Sequence, residues 1–185
     1  MLRNPAERAF SHWLMDLKGG STESSFVEAV NRDFQKSEKG WGISHLYVEL
    51  GLYYEQVKRY MDLFPDENLK ILLYEDFKNN NAKVMDEVFN FIEVRKITIE
   101  RVEKNKAGIP KNNFVAKVKN IQSVKRIAKG IMPESLKQKL NSYLYTSENL
   151  PVLTNEEKDM LNQKFFNEDI HKLSKLINRD LSVWT

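Results

Sequence analysis

The sequence has no cysteine among its 185 residues. That excludes disulfides and thiolate-bound zinc, and it fits a reducing compartment. Histidine is nearly as scarce: His12, His45 and His171 are scattered, without the spacing of metal ligands. No apolar run approaches the roughly 18 residues that a membrane helix needs. The opening residues Met1, Leu2 and Arg3 run straight into Pro5 and Glu7, so nothing there resembles a secretory signal. There is no internal repeat and no long low-complexity tract.

What remains is a chain long enough for one domain with a sizeable core. Its 41% hydrophobic and 30% charged residues read as soluble and globular. The net charge of +3 hides an asymmetry. Residues 104–139 carry ten Lys or Arg against Glu134 alone, a local charge of +9 that leaves the rest of the chain at −6. Such a block can recruit an anionic partner, and it can equally be a solvated lysine-rich helix face.

The pattern along the chain is mostly helical. Asn4 can cap a helix with Pro5 at its first position and Glu7 three residues after the cap. Ala6, Ala9, Phe10, Trp13, Leu14 and Leu17 then follow at helical spacing, until Gly19, Gly20, Ser21 and Thr22 end the run. Residues 26–44 give no decisive pattern, although Gly40, Trp41 and Gly42 suggest a loop. A helix is expected over 46–64, with Tyr53, Val57, Tyr60, Met61 and Phe64 on one side. Residues 69–74 read LKILLY, the best candidate for a buried strand. A helix over 82–92 should align Val84, Val88, Phe91 and Ile92. Pro133 should open another, bearing Leu136, Leu140, Tyr143 and Leu144. Thr154 and Glu157 form a second capping-box pattern, and the helix they start should run to about Ile177 with Phe166, Ile170 and Leu173 inward.

The opening L-R-N-P-A-E-R-A-F-S-H-W carries the functional reading. It resembles the 3′-phosphate-binding motif of the PAPS-dependent sulfotransferase superfamily, in which a strand passes into a helix. In that family an Arg at the strand end and a Ser eight residues later contact the cofactor's 3′-phosphate, and Arg3 and Ser11 match in type and spacing. A guanidinium presents a planar fork of donors to phosphate oxygens, and its charge does not titrate away. Ser11 lies off the apolar face of its helix and is free to meet a ligand. The alternative is a capped helix start with Arg3 merely solvated. His12 and Trp13 read as packing residues, because a lone histidine without an orienting partner makes a weak catalyst.

Further pieces follow in the family's order. Gly51-x-Tyr53, then LKILLYEDF, then FNFI look like its central section, and L-x-x-L-I-N-R-D-L-S-V-W over 173–184 is similar to the tail of many bacterial members. Residues 105–111, N-K-A-G-I-P-K, resemble the loop that closes over the cofactor, so Lys106 and Gly108 are carried over as cofactor-binding residues. Glu75 reads as structural. The resemblance implies the C-terminal part of a P-loop-NTPase-like three-layer α/β/α fold, a single partial domain over 1–185. It implies PAPS as sulfuryl donor, PAP as product, no metal, and an acceptor bearing a hydroxyl or amine, a carbohydrate or small molecule. Nucleic acid and membrane are not expected partners, and the cytoplasm is the expected location.

Two family features are missing. No Gly-x-x-Lys-x-Gly-Thr-like run is present to hold the 5′-phosphosulfate, and the general base, a His or Glu preceding the Arg-Asn-Pro motif in the family, has no substitute here. No catalytic residue is therefore assigned. The expectation is a truncated sequence with Met1 an internal methionine, inactive by itself. The competing readings are a nucleic-acid-binding module using 104–139, and a non-catalytic helical interaction protein. Phe114 is the one aromatic in that segment, which offers little for base stacking.

Overall fold

The structure is a computed structural model that describes residues 1–97, 109–110, 145–146 and 150–185. Helix α1 (Pro5–Gly19) begins where the sequence places it. The Asn4 carboxamide oxygen accepts the Glu7 N–H at 3.2 Å, and Pro5 fills the first turn, where no N–H is needed. Gly20, left-handed at φ 74°, closes the helix by donating its N–H to the carbonyls of Asp16 and Leu17. Ala6, Ala9 and Trp13 are buried, while Phe10, Leu14 and Leu17 pack at the core's margin.

Residues 26–44, undecided in the sequence, contain a helix. α2 (Phe26–Phe34) sets Phe26, Ala29 and Val30 against α1, with the Phe26 ring edge-on to Phe10 at 5.1 Å and tilted to Trp13 at 5.7 Å. The helix expected over 46–64 starts later. A 3₁₀ turn, Glu49–Gly51, precedes α3 (Tyr54–Leu63), because Leu52 is extended and breaks the run. Asp169 then caps α3 from across the fold, its carboxylate accepting the N–H groups of Tyr53 at 2.7 Å and Tyr54 at 3.2 Å. Tyr53 is buried, but Tyr60 and Phe64 at the far end are exposed and stack on each other.

The buried strand expected at LKILLY does not form. Residues 69–72 are irregular backbone, Leu73 alone of the six is buried, and a single parallel bridge joins it to Leu2. Two 2.7 Å hydrogen bonds make that bridge, Leu2 N–H to the Leu72 carbonyl and Tyr74 N–H to the Leu2 carbonyl. A strand needs a continuous ladder partner, and among the described residues the pairing extends over one residue. α4 (Tyr74–Asn79) and α5 (Asn81–Phe91) follow at once, and α5 buries Val84 and Phe89.

The last long helix is interrupted. α6 (Asn155–Leu161) opens with the expected capping box, Thr154 and Glu157 exchanging two 3.1 Å bonds. A π turn over Asn162–Phe166 leads into α7 (Asn167–Leu176), and Phe166, Ile170 and Leu173 face inward. A 3₁₀ turn, Ser182–Trp184, buries the Trp184 indole. The π turn turns the Asn162 side chain onto the start of α1. Its oxygen accepts the Ala6 N–H, one of the orphan donors of a helix start, and its amide donates to Asn4 and to the Trp184 carbonyl. Front and tail are thereby joined in the core.

Among the described residues the strands are β1 (Ile109–Pro110) and β2 (Tyr145–Thr146), antiparallel, with Ile109 opposite Thr146. The architecture seen is thus mostly helical. The helix expected at Pro133, with Leu136, Leu140, Tyr143 and Leu144, lies outside the described residues, as does the rest of the 104–139 segment apart from β1.

Candidate functional site

The Leu2–Leu73 bridge and the two contacts that follow it set up the site. Leu2 bridges Leu73, the Arg3 guanidinium lies over the Tyr74 ring at 4.8 Å, and the Asn4 N–H donates to Glu75 Oε1 at 3.2 Å. Arg3 is thus held at the head of α1. One and two turns along, on the same face, stand Glu7 and Ser11.

Arg3 and Ser11 are brought together. Nη1 of Arg3 donates to Ser11 Oγ at 2.8 Å, while Nε and Nη2 donate to Glu7 Oε2 at 3.1 and 3.0 Å. The remaining hydrogens on Nη1 and Nη2 and the proton of the Ser11 hydroxyl can meet the oxygens of an anion. Arg3 is half-buried, so the charge stays reachable. The first-turn N–H groups of α1 are already taken by Glu75, Asn162 and Asn4, so the donors left for an anion here are side chains.

Lys106 and Gly108 lie outside the described residues. The residues that follow them directly, Ile109 and Pro110, form β1, which runs beside α1.

Glu75, expected to be structural, takes the part expected of Glu7. The sequence suggests that Glu7 completes a reciprocal cap with Asn4, but Glu75 receives the Asn4 N–H and Glu7 turns to Arg3. Glu75 is 71 residues away, too far for a local pattern to reveal. Tyr74, under the guanidinium, is hidden in the same way. Tyr53 lies within reach of both Arg3 and Arg8, yet burial pushes its phenol up to about 12, so it stays protonated.

The neighbouring face of α1 carries Arg8, His12 and Asp16. Arg8 gives Nη2 to the Tyr47 carbonyl, and burial lowers its pKa from the usual guanidinium value. His12 has an orienting partner that its i,i+4 spacing on α1 could have signalled: Asp16 Oδ2 stands 3.6 Å from its Nε2. The same oxygen meets His45 Nδ1 at 2.8 Å and the Tyr47 hydroxyl at 2.7 Å. Tyr47 is edge-on to His12 and stacked on His45. Burial, helped by the Arg8 and His45 charges, lowers the His12 pKa against the opposing pull of Asp16. Behind this cluster is buried Asp33. Burial acts to raise its pKa, but the N–H groups of His45 and Tyr47, with Lys36, outweigh it and hold the carboxyl below the usual range. Among the described residues no group of acidic and histidine side chains is arranged to hold a metal ion.

The family model for the sulfotransferase domain matches residues 1–142, more than three-quarters of the chain. The chain belongs to the sulfotransferase family. The match takes in the Arg3–Ser11 pair and the 105–111 segment. A solved bacterial sulfotransferase, from Alicyclobacillus acidocaldarius, superimposes with a TM-score of 0.60 at 24% identity. The alignment covers 100% of this sulfotransferase chain and 55% of that one, so the chain spans about half the length of its solved neighbour. That likeness shows a shared fold. No curated protein matches the sulfotransferase chain. No helix among its described residues is long and apolar enough to cross a membrane.

Proposed function

We propose that this chain carries the 3′-phosphate subsite of a PAPS-dependent sulfotransferase, within a three-layer α/β/α fold of which the Leu2–Leu73 bridge is one parallel pairing. The observation that carries the proposal is the 2.8 Å hydrogen bond between Arg3 and Ser11, on a half-buried guanidinium with two donors to spare. The pair fits a phosphate chemically. The guanidinium supplies charge and direction, and the hydroxyl supplies one further donor.

When bound, PAPS supplies the activated sulfuryl group that passes to a hydroxyl or amine of the acceptor, a carbohydrate or small molecule, leaving PAP. Arg3 and Ser11 act away from that reacting centre. They hold a phosphate that does not react, which orients the nucleotide and separates it from ATP or AMP, neither of which has a 3′-phosphate. Lys106 and Gly108, in the segment that leads into β1 beside α1, are proposed to cover the nucleotide. No residue of the chain is assigned as the general base.

A thermal-shift comparison of PAP with AMP tests the reading. PAP should raise the melting temperature of the protein and AMP, at the same concentration, should do so less. Equal shifts from the two nucleotides would count against a 3′-phosphate site.

A further inference from the structure

We propose that Glu7 is a positioning residue of the phosphate site, fixing which edge of the Arg3 guanidinium the nucleotide meets. The proposal rests on Arg3 and Ser11 being the phosphate's donors. A guanidinium on a flexible stem can present either its side, Nε with Nη2, or its end, Nη1 with Nη2. Here a single carboxylate oxygen, Glu7 Oε2, takes the whole side edge, from Nε at 3.1 Å and Nη2 at 3.0 Å. The second hydrogen of Nη2 must then point along the end of the group, towards the edge that also carries Nη1.

Two other interactions complete the clamp. The Tyr74 ring covers one face of the guanidinium, and Ser11 Oγ accepts from Nη1. Arg3 is thus fixed at an edge, on a face and at one nitrogen before any ligand arrives, so little side-chain entropy is left to lose on binding. Because Ser11 accepts from Arg3, its own proton is available to a ligand.

Glu7 is free for this task because of Glu75. A Glu at the third position of a helix normally reaches back to the N–H of the capping residue. In this chain Glu75 Oε1 occupies that N–H of Asn4, and Glu7 turns outward to Arg3. The carboxylate also offsets part of the Arg3 charge. The site therefore relies on direction as well as on charge, which favours a tetrahedral oxyanion of fixed placement over any passing anion.

Calorimetric titration of the protein with PAP and with AMP tests the assignment. Glu7→Ala should weaken PAP binding about tenfold, the order expected when one charge-assisted hydrogen bond to the phosphate is misdirected, and leave AMP unchanged. Glu7→Gln keeps the accepting oxygen without the charge, and should restore PAP binding to the native level or better. PAP affinity in Glu7→Ala within about twofold of native, or an equal loss for PAP and AMP, or no recovery in Glu7→Gln, would overturn the positioning role. Arg3→Ala separates this from the wider reading. If Arg3→Ala weakens PAP and Glu7→Ala does not, the role of Glu7 alone fails. If Arg3→Ala leaves PAP unaffected, the phosphate site fails and Glu7's role with it.

Discussion

Ser11 Oγ sits 2.8 Å from Nη1 of Arg3, although one residue precedes α1 and the other lies two turns inside it. The helix alone does not produce that hydrogen bond. It depends on residues 2–4 being pinned beside 73–75, which directs the arginine back over the first turns of α1. Two donors that converge on one phosphate should show coupled energetics. In a double-mutant cycle on PAP affinity, Arg3→Ala and Ser11→Ala should be non-additive by at least about 0.5 kcal/mol. Strict additivity would mean that the two side chains do not share a ligand.

Gly51 lies where the 3₁₀ turn passes between α1 and the π turn. A Cβ there would stand 2.8 Å from the Phe166 ring and 3.3 Å from Pro5. Phe166 and Pro5 are both buried, so neither can yield readily. Gly51→Ala should therefore destabilise the fold by about 1–3 kcal/mol, as overpacking does. Denaturant unfolding checks this, and a midpoint equal to that of the native protein would contradict the packing described.

Asn162 joins the Ala6 N–H, the Asn4 side chain and the Trp184 carbonyl at 1% exposure. Asn162→Leu leaves the Ala6 N–H buried without its partner, while the Trp184 carbonyl keeps the bond from Asn4 Nδ2. The expected loss is about 1–3 kcal/mol. Thermal melting should show it, and PAP affinity measured well below the melting temperature should change little.

The His12 imidazole faces Arg8 and Asp16 from α1, His45 from the following loop and Asp33 from α2. Its pKa is lowered in the folded state, so the unfolded chain binds a proton first as pH falls. The associated stability is complete above the unfolded value of about 6.5, and is lost as pH drops from there through the lowered folded value. His12→Gln should flatten the fall in melting temperature over that acidic range. An identical pH profile for the variant would contradict the assignment.

The sequence made the local features legible. Asn4 with Pro5, Thr154 with Glu157, and the inward positions Ala6, Trp13, Ile170 and Leu173 are all set within a few residues of one another. What it concealed is long-range. LKILLY has a strand's composition, but whether it forms one depends on a partner, and among the described residues Leu2 alone pairs with it. α2 escaped because nine residues with Phe26, Ala29 and Val30 inward give only about two and a half turns of periodicity. The arrangement at the site divides along the same line. Arg3, just before α1, and Ser11, two turns inside it, are legible through their resemblance to a motif of the same residue types and spacing. Tyr74, Glu75 and the carboxylate exchange that releases Glu7 come from interactions across some seventy positions, which spacing cannot report.

The most direct measurement is calorimetric affinity for PAP and AMP, in the native protein and in Arg3→Ala. The native protein should prefer PAP, and Arg3→Ala should lose at least about tenfold in PAP affinity, as expected for a charge-assisted hydrogen bond of about 1.5–3 kcal/mol, with AMP unchanged. PAP binding that survives the loss of Arg3 intact would contradict the account.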